Sequence, residues 1–256
     1  MTGEKLPITA VVVTLNEEAN LRRCLASADF CQHYIVVDSG STDGTVTLAR
    51  EMGADVLTRE WTGFADQKNF GVAAAKTDWV LCLDADEEVS PELRREILTL
   101  GKKLDEFEGF ELNRHAFYLN RFINYSGWYP EWRLFLYRKS HGSWGGSEPH
   151  ARVHFSGRKA RLSGDLYHYT YRDIHHHAQK TLSYAYAAAR AMRDTGKRAT
   201  LFDLGFRGPW AFIRSFLLKL GFLDGFAGLV IAWMSGYYTF LKYASLMELN
   251  LKARAK

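Results

Sequence analysis

The sequence predicts an α/β fold, an open sheet of parallel strands followed by a C-terminal helical appendage. Three observations carry that expectation. Short β-branched runs alternate four times with helix-like stretches over about the first hundred residues. Three of those runs close on a polar cluster: Asn16–Glu17, Asp38–Ser39 and Asp84–Asp86. From about Asp173 onward the apolar residues repeat with a helical period.

Ile8 to Leu15 is a continuous β-branched run without polar alternation, as expected of a strand covered on both faces. Asn16 is placed to cap a helix with Glu17 and Glu18 in its first turn and Leu21 and Leu25 on one face. A second strand, Tyr34 to Val37, ends at Asp38 and enters SGSTDGT, where Thr42 or Asp43 would cap the next helix. Asp55 to Leu57 is a third strand, and a helix from about Phe64 to Ala75 leads to the strand Trp79–Leu83. Ser90 before Pro91 starts another helix, because proline is tolerated at the first helical position. Residues 109–139 hold further strands, GFELNRHAFYLN and WRLFLYRK, followed by the loop HGSWGGSEPH and short strands to about Tyr169. The division expected is residues 1–172 as a catalytic domain and 173–256 as an amphipathic helical region that meets a membrane or a second copy.

At 256 residues and 47% hydrophobic, the chain can build one good-sized core with an appendage. Cys24, Cys31 and Cys82 are odd in number and lack metal or redox spacing, which points to a reducing compartment. The apolar run near the N-terminus is too short and too β-branched for a signal sequence, so the cytoplasm is expected. The whole net charge of +4 resides after Ala199, in seven bases against three acids, alongside many Phe, Leu, Trp and Tyr residues. Charge and apolar surface rising together suit an anionic membrane better than nucleic acid, which is not an expected partner. The uncharged stretch GFAGLVIAWMSGYYTFL, as a helix, would be roughly 25 Å long, at the lower limit for a span. Helices lying at the inner membrane face are favoured, beside a span or a homo-oligomer interface.

In an open α/β sheet, ligands bind beyond the carboxyl ends of the strands, where the polar clusters fall. Asp84 and Asp86 in LCLDADEE are separated by one residue at a strand end, so both can share a hard divalent cation with diphosphate oxygens. An aspartate turn capping the next helix is the alternative. Asp38 has the same two readings, as a base or ribose contact or as a turn builder. No G-x-G-x-x-G follows the first strand, which disfavours a dehydrogenase-type site. An aspartyl phosphatase is disfavoured by the late position of the D-x-D triplet.

The ordered set TLNEE, VVDSGSTDGT and LDADEE closely resembles family 2 glycosyltransferases, and Trp61 to Gly71 (W-x-G-F-x-x-Q-K-N-F-G) sharpens the likeness. With WRLF, GGSEPHARV, GDLYHYTYRD and GFLDGFAGL, the chain resembles the bacterial branch that adds a hexose to the lipopolysaccharide inner core. The resemblance implies a single Rossmann-like nucleotide-sugar sheet of the glycosyltransferase A-type. It implies an inverting transfer from a UDP-sugar, glucose by preference, to a lipid-linked glycan acceptor, with Mn²⁺ or Mg²⁺. By position, Thr14, Asn16 and Glu17 would line the nucleotide pocket and Asp38 would meet the base. Lys68 and Asn69 would approach the diphosphate or ribose; Arg133 has two readings, neutralising the diphosphate or lying on a solvated strand face. Asp84 would face the ribose or the metal and Asp86 would hold the metal, with His150 as a further candidate ligand. The general base would be Glu148, with Glu131 second; the chain has His150–Ala151 where many of the branch read His-Glu. A non-catalytic membrane scaffold that binds a nucleotide sugar is the alternative function. His175–His177 is a weak metal candidate, since consecutive side chains diverge on a helix or a strand.

Overall fold

The computed structural model describes residues 5–101, 103–146 and 151–254. The chain forms two compact units, the first of residues 1–114 and 131–168, the second of residues 115–130 and 169–256. The observed division thus falls after His168, and the second unit also takes an excursion, His115–Pro130, from the middle of the chain.

In unit 1, β1 (Leu6–Thr14), β2 (Cys31–Asp38), β3 (Asp55–Thr58) and β4 (Trp79–Asp84) pair in parallel in the order β3-β2-β1-β4. Helices α1 (Glu18–Ser27), α2 (Thr45–Glu51) and α3 (Phe64–Ala74) connect them. The rest of the sheet reverses direction. After β5 (Glu87–Val89), α4 (Pro91–Leu98) and α5 (Lys103–Glu106) come β6 (Gly109–Tyr118) and β7 (Arg121–Phe122). β8 (Glu131–Arg138) then pairs antiparallel with β4 and with β6. β9 (Gly142–Gly145) and β10 (Arg152–Phe155) form a small separate sheet, and β11 (Lys159–His168) pairs antiparallel with β5. The fold is therefore mixed α/β, as the sequence predicts, with the parallel order confined to its first four strands.

The unbroken apolar run of β1 is explained by burial on both faces. Ile8, Ala10 and Val12 pack with Leu21, Leu25, Leu48, Leu93 and Ile97. The alternate residues Val11 and Val13 face the other way and pack with Val37, Val72, Cys82 and Trp144. Helix α3 approaches the sheet closely because residue 71 is glycine: a Cβ there would lie 2.5 Å from Val11 Cγ1 and 2.8 Å from Val37 Cγ2. Ser90 caps α4 by accepting from the Leu93 amide, with Pro91 in the first turn, as expected.

The helix after β1 differs from expectation. Glu17, not Asn16, is its N-cap residue and makes no side-chain cap bond. Asn16 adopts a left-handed φ of 56°, which asparagine tolerates, and its carboxamide oxygen accepts from the Thr42 amide at 2.8 Å. The residue is therefore used to join two loops and does not cap the helix. Helix α2 begins at Thr45, whose amide donates to Asp43 Oδ1 at 3.0 Å.

Unit 2 contains α6 (Ile174–Asp194), α7 (Leu201–Ile213) and α8 (Gly225–Arg254), with a π-turn at Arg214–Leu218 and a 3-10 turn at Gly221–Asp224. Its part of β6 pairs with β7 through a two-residue hairpin at Leu119 and Asn120, both with positive φ. Tyr118, Ile123, Ala227 and Ile231 form one of its cores. α7 and α8 cross where both are glycine: a Cβ on Gly208 would stand 3.2 Å from Gly236 O, and one on Gly236 3.1 Å from Gly208 O. Asp224 is fully buried and accepts from the amides of Asn124 (3.1 Å) and Tyr125 (2.9 Å). Of the three consecutive histidines, His177 is buried, stacked on Tyr171 at 4.0 Å with Nδ1 3.1 Å from Tyr118 Oη.

Two outcomes follow from this packing. Gly71→Ala is expected to destabilise the protein by about 1–3 kcal/mol, read as a lower urea midpoint, because stiff buried valines meet the new methyl. Burial, with His176 and Lys180 nearby, lowers the His177 pKa to about 4. Its stabilising contribution is present above pH 6.5, the unfolded value, and is lost as pH falls towards about 4, because the unfolded chain takes up the proton first. Denaturation midpoints measured across that window should fall less for His177→Gln than for the wild type.

Candidate functional site

The register of the parallel strands sets the first part of the site. Thr14 pairs with Asp38 across β1 and β2, and Val13 pairs with Asp84 across β1 and β4. The three polar strand ends are therefore level on one rim, as the sequence predicts. The loops above them are tied together. Asn16 N donates to Ser41 Oγ at 2.8 Å, and Glu17 N donates to Thr45 Oγ1 at 2.9 Å. The Glu17 carboxylate accepts from Asn20 Nδ2 at 2.7 Å. Asp38 is buried; its Oδ2 accepts from the amides of Gly40 and Ser41, both at 2.9 Å, and its Oδ1 from the Ser41 hydroxyl. The turn-building reading of Asp38 thus has direct contacts behind it. Thr14 Oγ1 is buried at the same rim and has no hydrogen-bond partner among the described residues.

Lys68 supplies the second part. It is 4% exposed, its Nζ lies 2.8 Å from Asp84 Oδ1, and the ammonium sits 4.2 Å from the centre of the Trp144 ring. Burial opposes its charge, but Asp84 and Glu87 outweigh that effect and raise its pKa. Gly71 lies one turn along the same helix, so the close packing it permits also brings Lys68 to the sheet. The neighbouring Asn69 holds Trp144 by its peptide: Nδ2 donates to Trp144 O and Oδ1 accepts from Trp144 N, both at 2.8 Å. Asn69 therefore positions the ring that covers Lys68.

The third part is a chain of alternating charges. Glu87 is fully buried, and its Oε2 accepts from the Asp84 amide at 2.9 Å. Burial first, and then the Asp84 carboxylate, push the Glu87 pKa up to about 7. Its Oε1 stands 3.3 Å from Arg114 Nη1, and Arg114 Nε donates to Glu131 Oε2 at 2.8 Å. The other oxygen of Glu131 accepts from Arg133 Nε at 2.9 Å. Burial tends to raise the Glu131 carboxyl, but Arg114 and Arg133 prevail and hold it below the usual carboxylate range. Asp86 lies in the turn after β4, with Oδ2 3.5 Å from His168 Nε2.

Lys68, Asp84, Glu131 and Arg133 thus belong to one contact network, with Asp86 two residues from Asp84 in the same loop. Glu148 and His150, expected as base and metal ligand, lie outside the described residues. Among the described residues no group of three or more His, Cys, Asp or Glu side chains is arranged to hold a metal. Sequence reasoning missed Glu87, Arg114 and Trp144. The available signal was adjacency alone: Glu87 follows the D-x-D triplet, and Arg114 alternates with inward residues in β6.

Comparison with known proteins identifies the family. Residues 9–161 match the model of the family described as Glycosyl transferase family 2. An uncharacterized glycosyltransferase of Rickettsia typhi is 33% identical over 96% of this chain and 89% of its own length. The lipopolysaccharide core biosynthesis glycosyltransferase LpsC of Rhizobium meliloti is 30% identical over 98% of this chain and 96% of its own. Among solved structures, S. aureus TarS (residues 1–349) aligns with 15% identity and a TM-score of 0.48, covering 98% of this chain and 92% of that one. A matched region that covers more than half of the chain, and relatives that cover nearly the full length, leave one conclusion: the chain belongs to glycosyl transferase family 2.

Proposed function

We propose that the protein transfers a hexose, glucose by preference, from a UDP-sugar to a lipid-linked glycan such as a lipopolysaccharide inner core, with inversion at the anomeric carbon. The observation that carries the reading is the level alignment of Thr14, Asp38 and Asp84 on one rim, with buried Lys68 paired to Asp84. The acceptor class draws support from the printed role of the Rhizobium meliloti relative in lipopolysaccharide core biosynthesis.

A divalent cation, Mn²⁺ or Mg²⁺, fits the residues present. The side chains of Asp84 and Asp86, 24% and 18% exposed, would hold it through hard carboxylate oxygens. When bound, the ion would balance the negative charge that gathers on the departing diphosphate. Lys68 adds a second positive charge beside that group. The unpartnered Thr14 hydroxyl is a ready donor to the nucleotide, and Asn16, Glu17 and Asp38 shape the loops around it. The acceptor hydroxyl oxygen bonds to the anomeric carbon as the sugar–phosphate bond breaks, and the electron pair leaves with UDP. A carboxylate takes the hydroxyl proton. Glu148 is the first candidate for that role, and Glu131, whose two oxygens already accept from Arg114 and Arg133, is the second.

Titration calorimetry with UDP and Mn²⁺ should show binding at least about tenfold tighter than in chelator, and Asp86→Ala should abolish that difference. Equal affinity with and without metal removes the ion from the site. Glu148→Gln should keep UDP affinity within about twofold and slow transfer by about 10²–10⁴-fold. Wild-type turnover in that variant passes the base role to Glu131. A screen of UDP-sugars for slow hydrolysis identifies the donor, and UDP binding without any hydrolysis or transfer supports the scaffold function instead.

A further inference from the structure

Most of the large exposed apolar residues among those described lie between Leu201 and Phe240, and they are concentrated where α7 turns into α8. Leu217, Leu218, Leu220, Phe222, Leu223 and Phe226 all fall within ten consecutive positions, and each is 44–66% exposed. Along α7 the corner continues into a stripe of Phe202, Phe206, Trp210 and Ile213, spaced four, four and three residues apart on one helix face. The rings of Phe202 and Phe206 stack at 5.1 Å.

The corner is firmly built. A Cβ on Gly228 would fall 1.8 Å from Gly221 O, and one on Gly221 2.7 Å from Ser215 O, so only glycine permits these approaches. Burial of Asp224 beneath the corner, with its carboxylate on two backbone amides, removes the acid that this segment would otherwise expose. Asp203, the other acid between Leu201 and Leu246, is also buried and paired with Arg207. Arg214 and Lys219, by contrast, are exposed beside the apolar residues. The surface is thus apolar and cationic, and it exposes no acid.

We propose that this corner seats in the interfacial layer of an anionic lipid bilayer, with Leu217, Leu218, Phe222 and Phe226 among the acyl chains and Arg214 and Lys219 at lipid phosphates. A second copy of the chain is the poorer occupant. A twofold contact through the corner would bring Arg214 and Lys219 of both copies together with no exposed acid to meet them. Among the described residues no single helix is long and apolar enough to cross a membrane; the α7–α8 pair reaches that length and composition only together, bent by 71°. The attachment proposed is seating of the bend in one leaflet. The inference rests on unit 2 alone and is separable from the transfer chemistry, although a lipid-linked acceptor gives it a use.

The test is co-sedimentation of the full chain with vesicles of phosphatidylcholine, with and without phosphatidylglycerol, at low and high salt. The wild type should partition onto the anionic vesicles, and Leu218→Gln/Phe222→Gln should lose about tenfold or more of that partitioning. Lys219→Glu should lose mainly the preference for phosphatidylglycerol. Both variants change exposed positions, and unchanged circular dichroism and UDP affinity confirm that they fold. Wild type that stays in the supernatant with every vesicle, or a double variant that partitions equally, overturns the proposal. So does a dimer in sedimentation velocity that the double variant dissolves while vesicles bind nothing.

Discussion

A lysine ammonium that is almost wholly removed from water has to be paired, and in this protein the pairing of Lys68 with Asp84 organises the site. Lys68 reaches the sheet because α3 is pressed against Val11 and Val37, which only glycine at position 71 allows. Trp144 covers the ammonium, and Asn69 holds Trp144. On the far side Glu87 accepts from the Asp84 amide, and from Glu87 onward charges alternate through Arg114 to Glu131 and Arg133. Each charge in this chain is stabilised by a neighbour of opposite sign, so removing an inner member strands the next one.

The first hundred residues are legible in the sequence for a simple reason. Strands covered on both faces need unbroken β-branched runs, and such runs are bounded by the polar residues at their ends. The rim formed by Thr14, Asp38 and Asp84 follows from that rule together with parallel order. The burial of Glu87 does not follow from it, because the third acid of DADEE carries no periodic mark. The contacts of Arg114 with Glu131 depend on the register of β6 against β8, where those two residues face each other. Pairing between residues seventeen positions apart, across a turn-rich stretch, leaves no local pattern. Asn16 misleads for another reason: the same short carboxamide suits a helix cap and a left-handed loop residue, and only the position of Thr42 decides between them.

In unit 2, tight packing and exposed apolar surface sit next to each other. Helices α7 and α8 touch backbone to backbone at Gly208 and Gly236, while their outer faces carry aromatic side chains. Asp224 shows how the fold handles the acid in GFLDGFAGL. It turns the carboxylate inward onto two amides, which supports the loop at Asn124 and Tyr125 and leaves the outside of the corner to leucine, phenylalanine and lysine.

The strand that pairs with β7 belongs by sequence to the middle of the chain, yet its last four residues are counted with the C-terminal helices. Ile123 packs on Ala227 and Ile231, and the amides of residues 124 and 125 close on Asp224. A gene fragment ending at residue 168 would therefore keep an orphaned hairpin whose partners had been deleted. Grafting the helical part from a relative would have to import two separated stretches of sequence, so in this architecture the tail is no detachable cassette.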